Sequence, residues 1–223
     1  MSPDALAALL AARHSCRAFL ADPVPAAVLD RAFQIAQGTA SWCNTQPWRV
    51  KLVGGAALVR FRDALLAHVA AGGASGYDLG EPTYSGVSRE RRLECALALY
   101  GAVGVARGDR AASQEQALQN FRFFGAPHVA LITCERDLGT YGAVDCGAYV
   151  ANLMLAATSL GLGCIAQGAI AGYSAFVRSH FALDEDRSVV CAVSLGYEDV
   201  AHRANAFRTS RVELSAVIDR IDS

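Results

Sequence analysis

Hydrophobic positions recur at helical spacing over residues 3–13 and 25–38, the second stretch opened by Pro23-Val24-Pro25 and closed by Gly38. Residues 48–53 then read as a strand that stops at Gly54-Gly55. Helical periodicity returns over 56–71, 89–105 and 111–123. A strand over 128–134 follows Gly125-Ala126-Pro127, and a long apolar helix occupies about 142–160. A turn carrying Gly161, Gly163 and Gly168 comes next, then a short helix near 174–181. Residues 188–197 form a nearly continuous apolar strand. The remainder is polar, with a last helical turn from Leu214. Between 72 and 86 lies a Gly/Ser/Pro/Tyr-rich loop, the segment expected to move most. Three strands among several helices predict an α+β layered domain with a small sheet.

One stretch tests that picture. No charged residue falls between Cys146 and Tyr173, a length that raises a transmembrane helix. Asn152, Thr158, Ser159 and Gln167 are scattered through it, however, and the glycines break it after about residue 160. Flanking positive charge is missing on the near side. A helix buried on all sides, followed by a glycine-rich turn, explains the stretch better. Apolar residues 5–12 do not read as a secretory leader, because Asp4 sits where positive charge belongs and no small-residue cleavage site follows. Ser2-Pro3-Asp4 reads instead as a helix cap, a proline at N1 and an acid in the first turn.

Composition narrows the function classes. With 223 residues, 53% of them hydrophobic, the chain can bury one sizeable core. A formal net charge of −1 gives no argument for nucleic acid or an anionic membrane as partner. Lys51 is the sole lysine among 20 basic residues, so any anion site is built from guanidinium forks. The seven cysteines are widely spaced with no C-x-x-C pair, which leaves no expected zinc or dithiol site and fits a reducing, cytoplasmic setting.

Four segments carry candidate chemistry. Ser41-Trp42-Cys43-Asn44-Thr45-Gln46-Pro47-Trp48 sets small hydrogen-bonding groups beside two indoles, as a pocket for a planar ligand with a heteroatom edge requires. Arg13-His14-Ser15-Cys16-Arg17 ends the first helix. A helical continuation would put Arg13 and Arg17 on one face, where with Ser15 they suit a phosphate. The plainer reading is a helix C-terminus carrying favourable positive charge. Arg208-Thr209-Ser210-Arg211 repeats the composition or is a solvated tail. The 163–169 turn either brings a backbone N–H and the Gln167 amide to a flat ring or simply joins two helices. Trp48 reads as core, His14 as a hydrogen-bonded histidine rather than a base, and Arg89-Glu90-Arg91-Arg92 as a solvated helix face bordering the loop.

Taken in order, R-x-S-x-R, N-T-Q-P-W, G-L-G-x-x-x-Q-G, and S-L-G-Y followed by N-x-F-R-T-x-R form a set. This set resembles the nitroreductase family of flavin enzymes over nearly the whole chain. The resemblance implies an FMN-containing homodimer of α+β fold with the flavin at the subunit interface. It also implies one domain over 1–223, with an excursion at about 72–92 covering the pocket. Arg13, Arg17 and Arg211 match the arginines that grip the flavin phosphate, with His14 and Ser15 alongside and Arg208 in the same C-terminal run. Asn44 and Gln46 fall where the family lines the ring and ribityl chain, partly across the dimer. Gln167 and Gly168 match the turn near the flavin N5–O4 edge. Trp42 and Cys43 stand where the commoner motif has a proline and serines, which implies a narrower pocket.

The implied activity is hydride transfer from NADH or NADPH through FMN to nitroaromatic, quinone or related planar acceptors by a ping-pong route. No side chain is then required as an obligatory acid or base, and no metal is expected. Two alternatives share the fold: a flavin oxidase or dehydrogenase acting on one metabolite without nicotinamide, and a flavin-binding dimer without catalysis. A thiol hydrolase built on Cys43 with His14 or His128 is the reading from another class.

Overall fold

A computed structural model describes residues 2–221. Seven α-helices are α1 (Pro3–Ala12), α2 (Ala26–Ala36), α3 (Gly55–Ala70), α4 (Gly86–Val103), α5 (Arg110–Leu118), α6 (Gly139–Ser159) and α7 (Ser174–Phe181). Four strands, β1 (Arg49–Gly54), β2 (His128–Glu135), β3 (Gly163–Gln167) and β4 (Arg187–Gly196), form one sheet in the order β1-β2-β4-β3. Every pairing is antiparallel. This is the expected α+β class with one strand more than the pattern predicts. The difference is β3, expected as a turn.

The central strands lack polar alternation because both faces of the sheet are covered. On β2, Ala130 and Ile132 face a cluster with Trp48, Tyr149, Leu153, Val193 and Ala32, which brings in α2 and α6. Val129 and Leu131 face the other side, with Phe61, Phe123, Ala192 and Val177, which brings in α3 and α7. Trp48 is 4% exposed and stacks on Tyr149 at 4.8 Å, as core packing predicts. Cys134 and Cys191 are also buried.

Gly196 ends β4 under Pro127 and Phe19. A β-carbon there would lie 2.6 Å from Pro127 Cδ and 3.0 Å from the Phe19 ring. Gly196→Ala is therefore expected to cost about 1–3 kcal/mol of overpacking, read as a lower urea midpoint at unchanged m-value.

The long apolar helix departs from expectation in one respect. In the single chain α6 buries Cys146, Tyr149, Val150, Leu153, Ala156 and Ala157. Its other face, through Tyr141, Val144, Gly147, Ala148 and Ala151, stays exposed. The helix is thus half-covered, not buried all round, and its open face is made of small and apolar residues. No helix among the described residues is long and apolar enough to cross a membrane.

Candidate active site

Residues 13–17 do not continue α1. Arg13 leaves the helix with extended backbone (ψ 122°), Ser15 bridges to Cys164 in parallel, and the Cys16 N–H donates to the Cys164 carbonyl at 3.0 Å. The expected helical register is replaced by an extended one because the end of the sheet captures the segment. Convergence survives the change, since a two-residue period sets Arg13, Ser15 and Arg17 on one side and turns Cys16 into the core. Burial pushes the Cys16 thiol up to about 12.

The C-terminal run folds back onto this strap. Asn205, 3% exposed, accepts from the Arg17 N–H at 2.6 Å and donates to the carbonyls of Ala18 and Asp199 at 2.9 Å. That anchor lays the Phe207 ring 5.1 Å from the Arg17 guanidinium. A cleft of about 270 Å³ results, lined by Arg13, Ser15, Arg17, Arg208, Thr209 and Arg211. No acid lines it, and none of the four arginines forms an ion pair among the described residues. Burial draws the Arg17 pKa below its ordinary value. Four guanidinium groups without a counter-charge repel one another, and a dianion such as a phosphate relieves that repulsion. This donor set fits the phosphate of FMN.

His14 borders the cleft but does not aim its ring into it. Its Nδ1 lies 3.0 Å from the Ala12 carbonyl oxygen and its Nε2 2.8 Å from a Glu198 carboxylate oxygen. Both ring nitrogens are committed, so His14 ties the strap to the end of β4 and offers no nitrogen to a phosphate.

Gln167 also turns inward. It is 2% exposed, donates to the Asn120 carbonyl at 2.7 Å and accepts from Ser194 Oγ at 2.5 Å. Its side-chain amide is therefore spent in the interior, against the expectation that it reaches a flat ring. Gly168 is what this segment presents: it lines a cavity of about 670 Å³ with Tyr77, Tyr84, Arg92, Ala169 and Val190. Ser15 pairs with Cys164 at the start of β3, and Gly168 follows its end, roughly 13 Å on at strand rise. The strap and the Gly168 cavity are thus spaced as the phosphate and ring of one mononucleotide.

Helix α4 borders the same trough. Arg91, Glu94, Cys95 and Ala98 share a cleft with Arg208, Thr209 and Arg211, while Arg92 lines the Gly168 cavity. Tyr77 and Tyr84 of residues 72–92 line the cavity, together with Arg92. The loop before α4 is better anchored than its composition predicts. The Gly76 N–H donates to the Gly172 carbonyl at 2.6 Å, and Asp78, 7% exposed, receives Arg178, Arg136 and the Val189 N–H. Burial alone would raise the Asp78 carboxyl; the bonds from Arg178 and Val189 outweigh it and hold the group below its usual value.

Asn44 and Gln46 lie elsewhere. Cys43, Asn44 and Gln46 all adopt positive φ (50°, 56° and 47°), a conformation costly for side-chain-bearing residues. Their surroundings impose it: Ser41 Oγ accepts the Gln46 N–H at 2.9 Å, and Asp145 accepts the Trp42 N–H at 3.1 Å. Asp145 lies toward the start of α6, whereas Thr158, 3.9 Å from the Cys164 sulfur, lies near its end. Along the helix those positions are about 20 Å apart. One chain therefore does not bring Asn44 and Gln46 to the strap. Trp42, 57% exposed and edge-on to Tyr141 at 4.3 Å, stands at the same remote end and does not line the Gly168 cavity.

The thiol-hydrolase alternative finds no base. Cys43 makes no hydrogen bond to a histidine among the described residues; His14 is held by Glu198, and His128 accepts the Val24 N–H at 3.0 Å. Nor is there a cluster of metal-ligating side chains among the described residues. The sequence reading passed over Glu198, Asn120, Ser194 and Asp78, whose partners are remote in sequence. Asn205 stood inside a motif but without a role.

Comparison with known proteins agrees with this geometry. The family model described as the nitroreductase family matches residues 10–197. The chain is 35% identical over 208 residues to nitroreductase NfnB of Mycolicibacterium smegmatis, covering 93% of this chain and 88% of the relative. It is 30% identical over 218 residues to a 4-nitrobenzoate reductase of Pseudomonas putida, covering 93% and 92%. Among solved structures, the FMN-dependent nitroreductase NfnB from Mycobacterium smegmatis in complex with NADPH superposes with a TM-score of 0.93 at 32% identity, over 98% of this chain and 99% of that one.

Proposed function

The chain belongs to the nitroreductase family, and from that premise we propose that it is an FMN-dependent oxidoreductase passing hydride from NADH or NADPH to nitroaromatic, quinone or related planar acceptors. The observation that carries the reading is the acid-free cleft of Arg13, Arg17, Arg208 and Arg211, set one β3 length from the Gly168 cavity. When bound there, FMN supplies the two-electron carrier that the chain's own side chains lack. Arg13, Ser15, Arg17 and Arg211 grip the phosphate. Gly168 carries no side chain, so its backbone would allow close approach of a flavin ring held in the cavity. Nicotinamide and acceptor occupy the cavity in turn, which makes the route ping-pong. The walls of the cavity, with Tyr77 and Tyr84, orient each planar partner and exclude water.

We also propose a homodimer whose sites are shared. A twofold axis across α6 that pairs two copies antiparallel sets the 42–46 turn of one beside the strap of the other. That arrangement gives Asn44 and Gln46, in the backbone that Ser41 and Asp145 impose, a flavin to line. Exposed Val144 and Tyr141 on α6, with Leu93 and Leu97 on α4, supply the apolar surface, and Gly147, Ala148 and Ala151 allow close helix approach. Residues 2–221 are read as one domain with the 72–92 excursion covering its pocket. Seven free cysteines fit a reducing cytoplasmic compartment.

The test is the visible spectrum of the purified protein before and after anaerobic NADPH or NADH. Flavin absorption bleached by a nicotinamide and restored by a nitroarene is the expected result. Flavin that stays oxidised would favour the nicotinamide-independent oxidase or the non-catalytic dimer. Protein that neither carries nor takes up FMN would overturn the assignment.

A further inference from the structure

Adjacent residues on α4 look into different cavities. Arg91 borders the cleft it shares with Arg208 and Arg211, whereas Arg92, about 100° further round the helix, borders the Gly168 cavity. Arg91 thus stands beside Arg208 and Arg211, with Glu94 in the same cleft. Arg92 stands in the cavity proposed above for the acceptor.

The cavity walls are mostly apolar or aromatic, with Leu79, Pro82, Ala171 and Val189 beside Tyr77 and Tyr84, and they suit an aromatic ring. Arg92 is the basic side chain in that lining and Glu81 the acidic one. Among the described residues Arg92 makes no ion pair, the six that form being made by other residues. Its guanidinium carbon sits 4.9 Å from the centre of the Tyr84 ring. A cation over a ring at this distance is attracted to the ring face, and its N–H groups can still take a planar, bidentate partner. Tyr77 lies near both Glu81 and Tyr84.

From this arrangement we infer that Arg92 is a specificity residue, taking the carboxylate of an anionic planar acceptor whose ring lies in the Gly168 cavity. The inference rests on the reductase reading above. It assigns the acceptor a chemical class, an aromatic ring bearing a carboxylate. Glu81, the acidic side chain of the same lining, repels a carboxylate and so leaves Arg92 as its partner.

The test uses the FMN-loaded protein, the variants Arg92→Ala and Arg92→Lys, and Arg89→Ala as a control on the same helix. Benzoate serves as a non-reacting probe, its dissociation constant read from the change it causes in the flavin spectrum. Turnover is compared for 4-nitrobenzoate and nitrobenzene. Arg92→Ala is expected to weaken benzoate and lower kcat/KM for 4-nitrobenzoate about tenfold, through KM, while nitrobenzene changes less than twofold. Arg92→Lys should recover part of the loss, and Arg89→Ala should show none. Equal effects on both acceptors would overturn the inference. So would a raised KM for NADPH with the acceptors unchanged, which would give Arg92 to the nicotinamide nucleotide's phosphates. If benzoate binding falls in Arg92→Ala but the unaltered protein reduces no nitroarene, the anion site stands and the reductase reading falls.

Discussion

Replacing Arg13 by alanine should lower FMN affinity roughly 10- to 100-fold, with little change in the rate of flavin reduction once FMN is saturating. The figure follows from losing one charge-assisted contact of about 1.5–3 kcal/mol, at tenfold for each 1.4 kcal/mol. Arg13 is suited to show it because no acid shares the cleft, so its guanidinium has no competing partner there and its charge is available to the phosphate. Titration of apoprotein with FMN, followed by quenching of flavin fluorescence, measures the effect directly. Arg211→Ala should behave alike, and the double variant should lose less than the sum if the remaining arginines re-close on the phosphate. FMN held as tightly by Arg13→Ala as by the unaltered protein would remove the strap from the phosphate site.

The second large effect is expected far from the phosphate. Asp78→Ala should cost about 3 kcal/mol of stability, because it leaves Arg178 and the Val189 N–H without the carboxylate that satisfies both. Urea unfolding measures this, and a loss below about 1 kcal/mol would show that the carboxylate does not pin the loop. The same pair gives a pH signature. The folded carboxyl lies below its ordinary value of 3.8, so the unfolded chain binds the proton more readily. The contribution of Asp78 is therefore present above that value and disappears as the pH falls through the lower folded one. Asp78→Ala should flatten this acid limb of the stability curve.

Much of this molecule was legible in its residue pattern, and the exceptions share a cause. Strands β1, β2 and β4 announced themselves because their apolar runs are bounded by glycine or proline and need no knowledge of a partner. Strand β3 did not. Gly163-Cys164-Ile165-Ala166-Gln167 is short and glycine-flanked, and it becomes a strand because β4 supplies the missing hydrogen bonds across Gly163↔Gly196 to Gln167↔Ala192. The strap shows the opposite case. Its helical reading was wrong in backbone but right in outcome, since Arg13 and Arg17 share a side at a spacing of four in helix and strand alike. The inward turn of Gln167 depends on Asn120 and Ser194, and the anchoring of Asp78 depends on Arg136, Arg178 and Val189. Nothing local in the chain marks those pairings. Asn44 and Gln46 are a special case, because in one chain they lie remote from the strap and only the proposed dimer would bring them to it.

The guanidinium-only construction of the strap also sets how the protein responds to chemical modification. Acetylation, carbamylation and amine-directed cross-linking act on lysine, and the one lysine, Lys51, lies on β1 with its ammonium 5.8 Å from the Phe181 ring. The strap cleft presents no lysine amine to such reagents. Lysine acylation would leave the four guanidinium groups proposed to hold the phosphate untouched, whereas reagents directed at arginine, such as dicarbonyls, would strike them directly.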